Sequence, residues 1–237
     1  MKIVFLLFIT ITFSLATHAQ TSDAKTKREL NEKKVVIDSS GIRYPYAVWR
    51  KMVLSGDYRL KKTDPKNDST SYLLVKTDSL QKERELSRES KPKESPSFTD
   101  GEKIRPFNAT DIEGNKIDLQ NLAGKVVVLC FWYTKGPNCQ QEIPELNKVA
   151  VQYANDPNVV FIAFTLDKQR DIQDFIEGTP FTYHLVEDSR VYARMYNVHK
   201  YPTNVVLDKE GKVIFNSKGY KIDTAYWIKK SIEEAKK

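Results

Sequence analysis

From residue 99 onward the chain alternates continuous apolar runs with amphipathic stretches. KVVVLCFW (125–132) and NVVFIAFTL (158–166) are apolar at consecutive positions, the pattern of strands covered on both faces. Between them, NCQQEIPELNKVAVQYAND (138–156) puts Ile143, Leu146, Val149 and Tyr153 on one helical stripe. KQRDIQDFIEG (168–178) predicts a second helix ending at Gly178. TYHLVED, SRVYARMYNV, TNVVLDKEGKVIFNSKG and DTAYWIKKSIEEAKK then predict strand, helix, hairpin and terminal helix. Ahead of this block, RPFNATDIEGNKIDL predicts two short strands around the turn Glu113-Gly114-Asn115. Strands spaced by helices predict an α/β domain, a mixed central sheet with helices on both faces.

The first part of the chain is different. VVID and SSG (35–41) predict a strand and turn, and YPYAVWRKMVLSG (44–56) a helix with Val48, Met52 and Val53 on one stripe. DYRLKKTD and TSYLLVKTD, separated by PKND, predict a hairpin. Residues 20–79 therefore read as a small α+β extension with a polar lead-in at 20–34. Residues 80–98, LQKERELSRESKPKESPSF, are charged and poor in large apolar groups, so they read as a linker with a helical start. Residues 99–237 form the main domain.

Lys2, the apolar run Ile3 to Ala16 and the small residues Thr17 and Ala19 predict a signal peptide over 1–19, cut after Ala19, hence export to a periplasm or cell envelope. The run is short for a membrane span, and no later segment predicts one. An uncleaved anchor is the alternative. The chain carries two cysteines, Cys130 and Cys139, so no disulfide framework supports an exported fold and the core must do so. Net charge is +7. Residues 20–98 hold 18 Lys/Arg against 12 Asp/Glu, whereas residues 99–237 hold 19 of each. The excess is mixed with acids and lacks interleaved aromatics, which argues for a solvated face and against nucleic acid as partner.

The segment around 126–146 carries the candidate chemistry. VVVLCFWYTKGPNCQQEIPEL reads as a buried strand, a Gly-Pro turn and a helix start, with Cys139 just inside the helix. Four blocks in order make residues 99–237 resemble the TlpA/ResA-like class of exported thiol-disulfide oxidoreductases, which have the thioredoxin fold. These are PFNATDIEGNKIDLQNLAGKVVVLCFW, FWYTKGPNC, EIPEL and YPTNVVLDKEGKVI. The resemblance places Gly136 at the first cysteine of the class's Cys-x-x-Cys motif, Cys139 at the second, Lys135 at a tryptophan and Pro202 at a cis-proline. It implies no cofactor and no metal, and a peptide-binding groove lined by Gly136, Pro137, Tyr201, Pro202 and Thr203. It also implies that an acid at Glu142 sits near the sulfurs and assists proton transfer.

Dithiol exchange needs an exposed attacking thiolate and a second sulfur that resolves the mixed disulfide. Glycine supplies neither. Cys139 then has three readings. It is a structural, half-buried thiol. Alternatively it is a lone reactive thiol, less covered because Gly136 stands beside it, with Lys135 and the helix N-terminus favouring its thiolate; GPNC then resembles the one-cysteine motif of peroxiredoxins. Or it pairs with Cys130, a candidate second thiol that the resemblance places beneath it. Glu142 is equally a first-turn acid favoured by the helix dipole. The expected function is a non-dithiol one, binding a protein or peptide at the Cys139/Pro202 groove. The alternatives are one-cysteine chemistry at Cys139, or a scaffold whose N-terminal unit does the work. His184 and His199 are too few and too scattered for a metal cage.

Overall fold

The structure is a computed structural model describing residues 34–54, 57–64 and 71–237. The signal-peptide expectation falls outside these residues. Contacts divide the chain into two units, one reaching Lys51 and including Arg59–Val75, the other comprising Met52–Tyr58 and Lys76–Lys237. The first unit holds a four-stranded sheet of order β2-β1-β4-β3, from β1 (Val35–Ile37), β2 (Arg43–Tyr44), β3 (Tyr58–Lys62) and β4 (Ser71–Lys76). Helix α1 (Tyr46–Leu54) follows β2. The expected stripe on this helix is misplaced: Val48 is exposed, and Trp49 is the buried anchor, edge-on to Tyr46. An indole covers more apolar area than a valine, so its position decides which face turns inward.

In the second unit the sheet order is β11-β10-β7-β8-β9. The strands are β7 (Val126–Trp132), β8 (Val159–Thr165), β9 (His184–Val186), β10 (Thr203–Leu207) and β11 (Val213–Lys218). β7, β8 and β9 run parallel, and β10 and β11 are antiparallel additions on the other side of β7. All seven residues of β7 are buried. Val126, Val128, Cys130 and Trp132 enter one core cluster, while Val127, Leu129 and Phe131 enter the other. The first cluster takes residues from α3 (Pro137–Gln152) and α6 (Thr224–Lys236). The second gathers the hairpin β5 (Asn108–Thr110) and β6 (Lys116–Asp118) and the end of α5 (Arg190–Met195). Helix α4 (Gln169–Gly178) adds Ile172 to the first cluster. The period-2 geometry of the strand thus sends the Cys130 side chain toward the face that α3 covers.

Three turns share one device. In DSSGI, DIEGN and DKEGK, the Oδ1 of Asp38, Asp111 or Asp208 accepts backbone N–H bonds from the residues two and four positions on. The glycine of each has φ between 79° and 87°, a conformation L side chains resist.

Residues 80–98 are not a free linker. Helix α2 (Ser79–Arg88) contacts α6, and the following residues run along β11. Lys218 N–H donates to the Lys93 carbonyl (2.9 Å), and Ser95 N–H to Asn216 Oδ1 (2.7 Å). Pro92, Ser95 and Phe98 are buried. Phe98 lies 5.7 Å from the Tyr196 ring and 6.0 Å from the Phe131 ring. A few well-placed side chains and backbone bonds anchor a segment that average composition reads as solvated. Removing this ring should therefore destabilise the domain: Phe98→Ala is expected to cost roughly 3 kcal/mol in urea unfolding. A midpoint and slope unchanged from wild type would restore the linker reading.

Candidate functional site

The site lies where β7 ends and α3 begins. The strand runs out at Trp132, whose ring is wedged against Phe175 and Phe181. Gly136 N–H donates to the Tyr133 carbonyl (3.1 Å), which closes the turn. Gly136 is the N-cap of α3 and Pro137 its first residue, a position where a missing N–H costs nothing. Pro144 sits inside the helix, leaving the Gln140 carbonyl without its i+4 donor. Gln140 Nε2 reaches back to the Thr134 carbonyl (2.8 Å) and fixes the loop.

Cys139 is 1% exposed. The expectation that glycine uncovers this sulfur is wrong: the sulfur is buried, and the ring of Tyr133 crowds the same side of Gly136. A Cβ placed on Gly136 would be 3.0 Å from Cys139 Sγ and 3.0 Å from both Cε1 and Cζ of Tyr133. The expectation of an activated thiolate fails with it. Burial pushes the Cys139 thiol up to about 12, and the carboxylates of Glu142 and Asp167 push the same way. Backbone hydrogen bonds at Tyr133 and at Cys139 itself oppose them without prevailing. Lys135 is exposed, and water screens a charge held there.

Beneath Cys139 lies a buried polar row. β7 and β10 pair Cys130 with Asn204, and β10 and β11 pair Asn204 with Ser217. Each of the three is at most 1% exposed. Glu142, on the first turns of α3, accepts a 2.8 Å bond from Asn204 Nδ2. Its other oxygen, Asn204 Oδ1 and Ser217 Oγ have no partner at hydrogen-bond geometry among the described residues. Burial raises the Glu142 carboxyl to about 7, against the pull of Asn204 and, more weakly, of Thr224. Burial also holds the Cys130 thiol well above its usual range, with Glu142 and then Cys139 adding to the effect. Both sulfurs are free thiols.

Tyr201, Pro202 and Thr203 lie at the start of β10. The Tyr201–Pro202 bond is cis. Pro202 is buried and its carbonyl accepts from Gly219 N–H (2.7 Å). Thr203 Oγ1 donates to the Lys200 carbonyl (2.8 Å). The Tyr133 and Tyr201 rings meet edge to face at 5.7 Å, joining the α3 turn to the cis-proline loop. The histidines stand elsewhere: His184 Nδ1 pairs with Asp111 (2.7 Å) and His199 Nε2 with Asn197 (2.7 Å).

Sequence reasoning missed Tyr133, Asp167 and Asn204. Asn204 had a signal, a lone amide inside the apolar run TNVVL. Asp167 had none: it follows β8 and reaches the site by accepting from Thr134 N–H (2.6 Å) and Thr165 Oγ1 (2.8 Å). Its contact crosses from one strand end to the next, which no local pattern encodes.

Glu142 makes stability depend on pH. Its folded value of about 7 lies above the ordinary 4.5, so its contribution is fully present below about pH 4.5. That contribution is lost as pH rises to about 7, then stays level, with a total change on the order of 3 kcal/mol. Glu142→Gln should flatten the urea-unfolding profile between pH 5 and 8, leaving the variant more stable than wild type at pH 8. An unchanged slope would show that the carboxyl is not the titrating group.

Comparison with known proteins agrees with this geometry. Residues 101–216 match the AhpC/TSA family. The thioredoxin-like protein YneN of Bacillus subtilis is 30% identical over 123 residues, covering 51% of this chain and 72% of that one. The thiol-disulfide oxidoreductase ResA of Bacillus anthracis is 32% identical over 126 residues, covering 49% and 72%. A crystal structure described as a thiol:disulfide interchange protein DsbE, from Chlorobium tepidum, superposes with a TM-score of 0.53 at 26% identity. It covers 58% of this chain and 98% of its own. With the parallel β7-β8-β9 core, the antiparallel β10-β11 pair and the cis-Pro202 loop facing the head of α3, these likenesses place the chain in the thioredoxin-fold redoxin family of the ResA-like thiol-disulfide oxidoreductases.

Proposed function

We propose that this is an exported thioredoxin-fold protein that has given up dithiol exchange and uses its groove to bind an extended protein or peptide segment. One observation carries the reading: the head of α3 offers a single sulfur, Cys139, and it is sealed at 1% exposure with its thiol pushed up to about 12. Gly136 has no sulfur to attack with, and Cys130 lies deep in β7. What survives of the family's apparatus is the part that holds backbone, the cis Tyr201–Pro202 loop and the start of α3, whose preceding turn meets it through Tyr133 and Tyr201. Extended segments are held along such a wall by main-chain hydrogen bonds and shallow side-chain contacts, neither of which needs sulfur. Export rests on Lys2 and the apolar run that follows it. Among the described residues no helix is long and apolar enough to cross a membrane.

Two measurements test this. Insulin reduction driven by dithiothreitol should proceed with this protein no faster than with the reductant alone. A rate equal to that of an intact dithiol relative would overturn the reading. For binding, an unfolded, fully carboxymethylated polypeptide serves as the probe, since it presents backbone but no sulfur chemistry. Its addition should shift the amide resonances of Lys135, Gly136, Asn138, Cys139, Lys200, Tyr201 and Thr203. Shifts confined to other surfaces, or none at millimolar probe, would exclude the groove.

A further inference from the structure

Gly136 is not there for its backbone. Its φ of −77° and ψ of 110° are open to any L-residue. It is there for space, since an added Cβ would meet the Tyr133 ring and Cys139 Sγ at 3.0 Å. The ring and the sulfur therefore crowd the space beside Gly136, and a side chain there requires one of them to give way by a few tenths of an ångström. The ring is held there by its edge-to-face contact with Tyr201 at 5.7 Å and by the turn bond from Gly136 N–H to its own carbonyl. Tyr133 is half-buried against the core cluster that contains Cys139.

We propose that Tyr133 and Gly136 form a size-compensated pair in which the Tyr133 ring is an aromatic gate. It closes over Cys139, bridges to the cis-proline loop, and sets what the groove can do. With the ring in place the groove presents a continuous, sulfur-free surface from Pro137 to Tyr201. With the ring withdrawn, Cys139 meets solvent at the N-terminus of α3. A side chain at 136 and the ring at 133 crowd each other, so the two positions are energetically coupled, as contacting neighbours are. The gate acts by bulk rather than through its hydroxyl. It stands whether or not a polypeptide binds the groove.

The test uses four variants of the whole protein, Tyr133→Ala, Tyr133→Phe, Gly136→Cys and the double Tyr133→Ala/Gly136→Cys. Alkylation of the native protein by iodoacetamide, mapped by mass, should run at least ~10-fold faster at Cys139 in Tyr133→Ala than in wild type. Tyr133→Phe should label as slowly as wild type, and Cys130 should stay unlabelled in every folded variant. Gly136→Cys alone should melt below wild type and reduce insulin poorly. The double variant should melt above it and reduce insulin at least ~10-fold faster, because the ring no longer contests the new side chain. If labelling of Cys130 shows that Tyr133→Ala has lost its fold, Tyr133→Leu carries the labelling comparison. The proposal is overturned if Cys139 labels no faster in the folded 133 variant. It is overturned equally if Gly136→Cys and the double variant match in both melting and insulin reduction. Failure of these tests leaves the polypeptide-binding experiment untouched, so the two readings fall separately.

Discussion

Burial of β7 on both faces is the constraint from which the rest of this domain follows. Seven consecutive residues are removed from water, and their alternation assigns each one to a core cluster. At about 1.5–3 kcal/mol for each fully buried large side chain, this strand is a principal source of the domain's stability. It also fixes the site. Because Val126, Val128, Cys130 and Trp132 face α3 and α6, the row Cys130–Asn204–Ser217 must lie under the head of α3. The loop that leaves Trp132 must in turn rise to the helix start with Tyr133 beside Gly136.

A polar row in that location is costly unless satisfied. Here it is only partly satisfied. Glu142 takes one bond from Asn204, and its second oxygen, Asn204 Oδ1 and Ser217 Oγ go without a partner among the described residues. The consequence is a carboxyl raised to about 7 at the centre of the fold and, above it, a thiol that faces two carboxylates. In a medium of low effective dielectric, two negative neighbours outweigh an exposed lysine that water screens. The helix N-terminus favours a thiolate in general, but here burial and charge decide the outcome.

Much of the fold was legible because β7 and β8 are long, continuous apolar runs and α3 carries a strong stripe; patterns of that length leave few alternatives. The boundaries of the second unit were less legible. Pro92, Ser95 and Phe98 sit in a charged context that conceals three buried side chains. At the site, the sequence marked the head of α3 at Cys139 and the bond before Pro202, but not the burial of Cys139. The ring of Tyr133, six positions before Cys139, comes to the same side of Gly136 as the sulfur only once the turn has folded. The ionisation of Cys139 follows its burial first, with Glu142 and then Asp167, brought in from the far end of β8, adding to it. Both are tertiary facts.

The account turns on Cys139 being a sealed, neutral thiol under native conditions. The most direct measurement is a pH titration of its 13Cβ resonance in folded protein labelled at cysteine. A thiol raised to about 12 predicts a neutral-thiol chemical shift that shows no thiolate inflection from about pH 6 to about pH 10. A full thiolate transition at or below the free-thiol value of about 8.5 would contradict it.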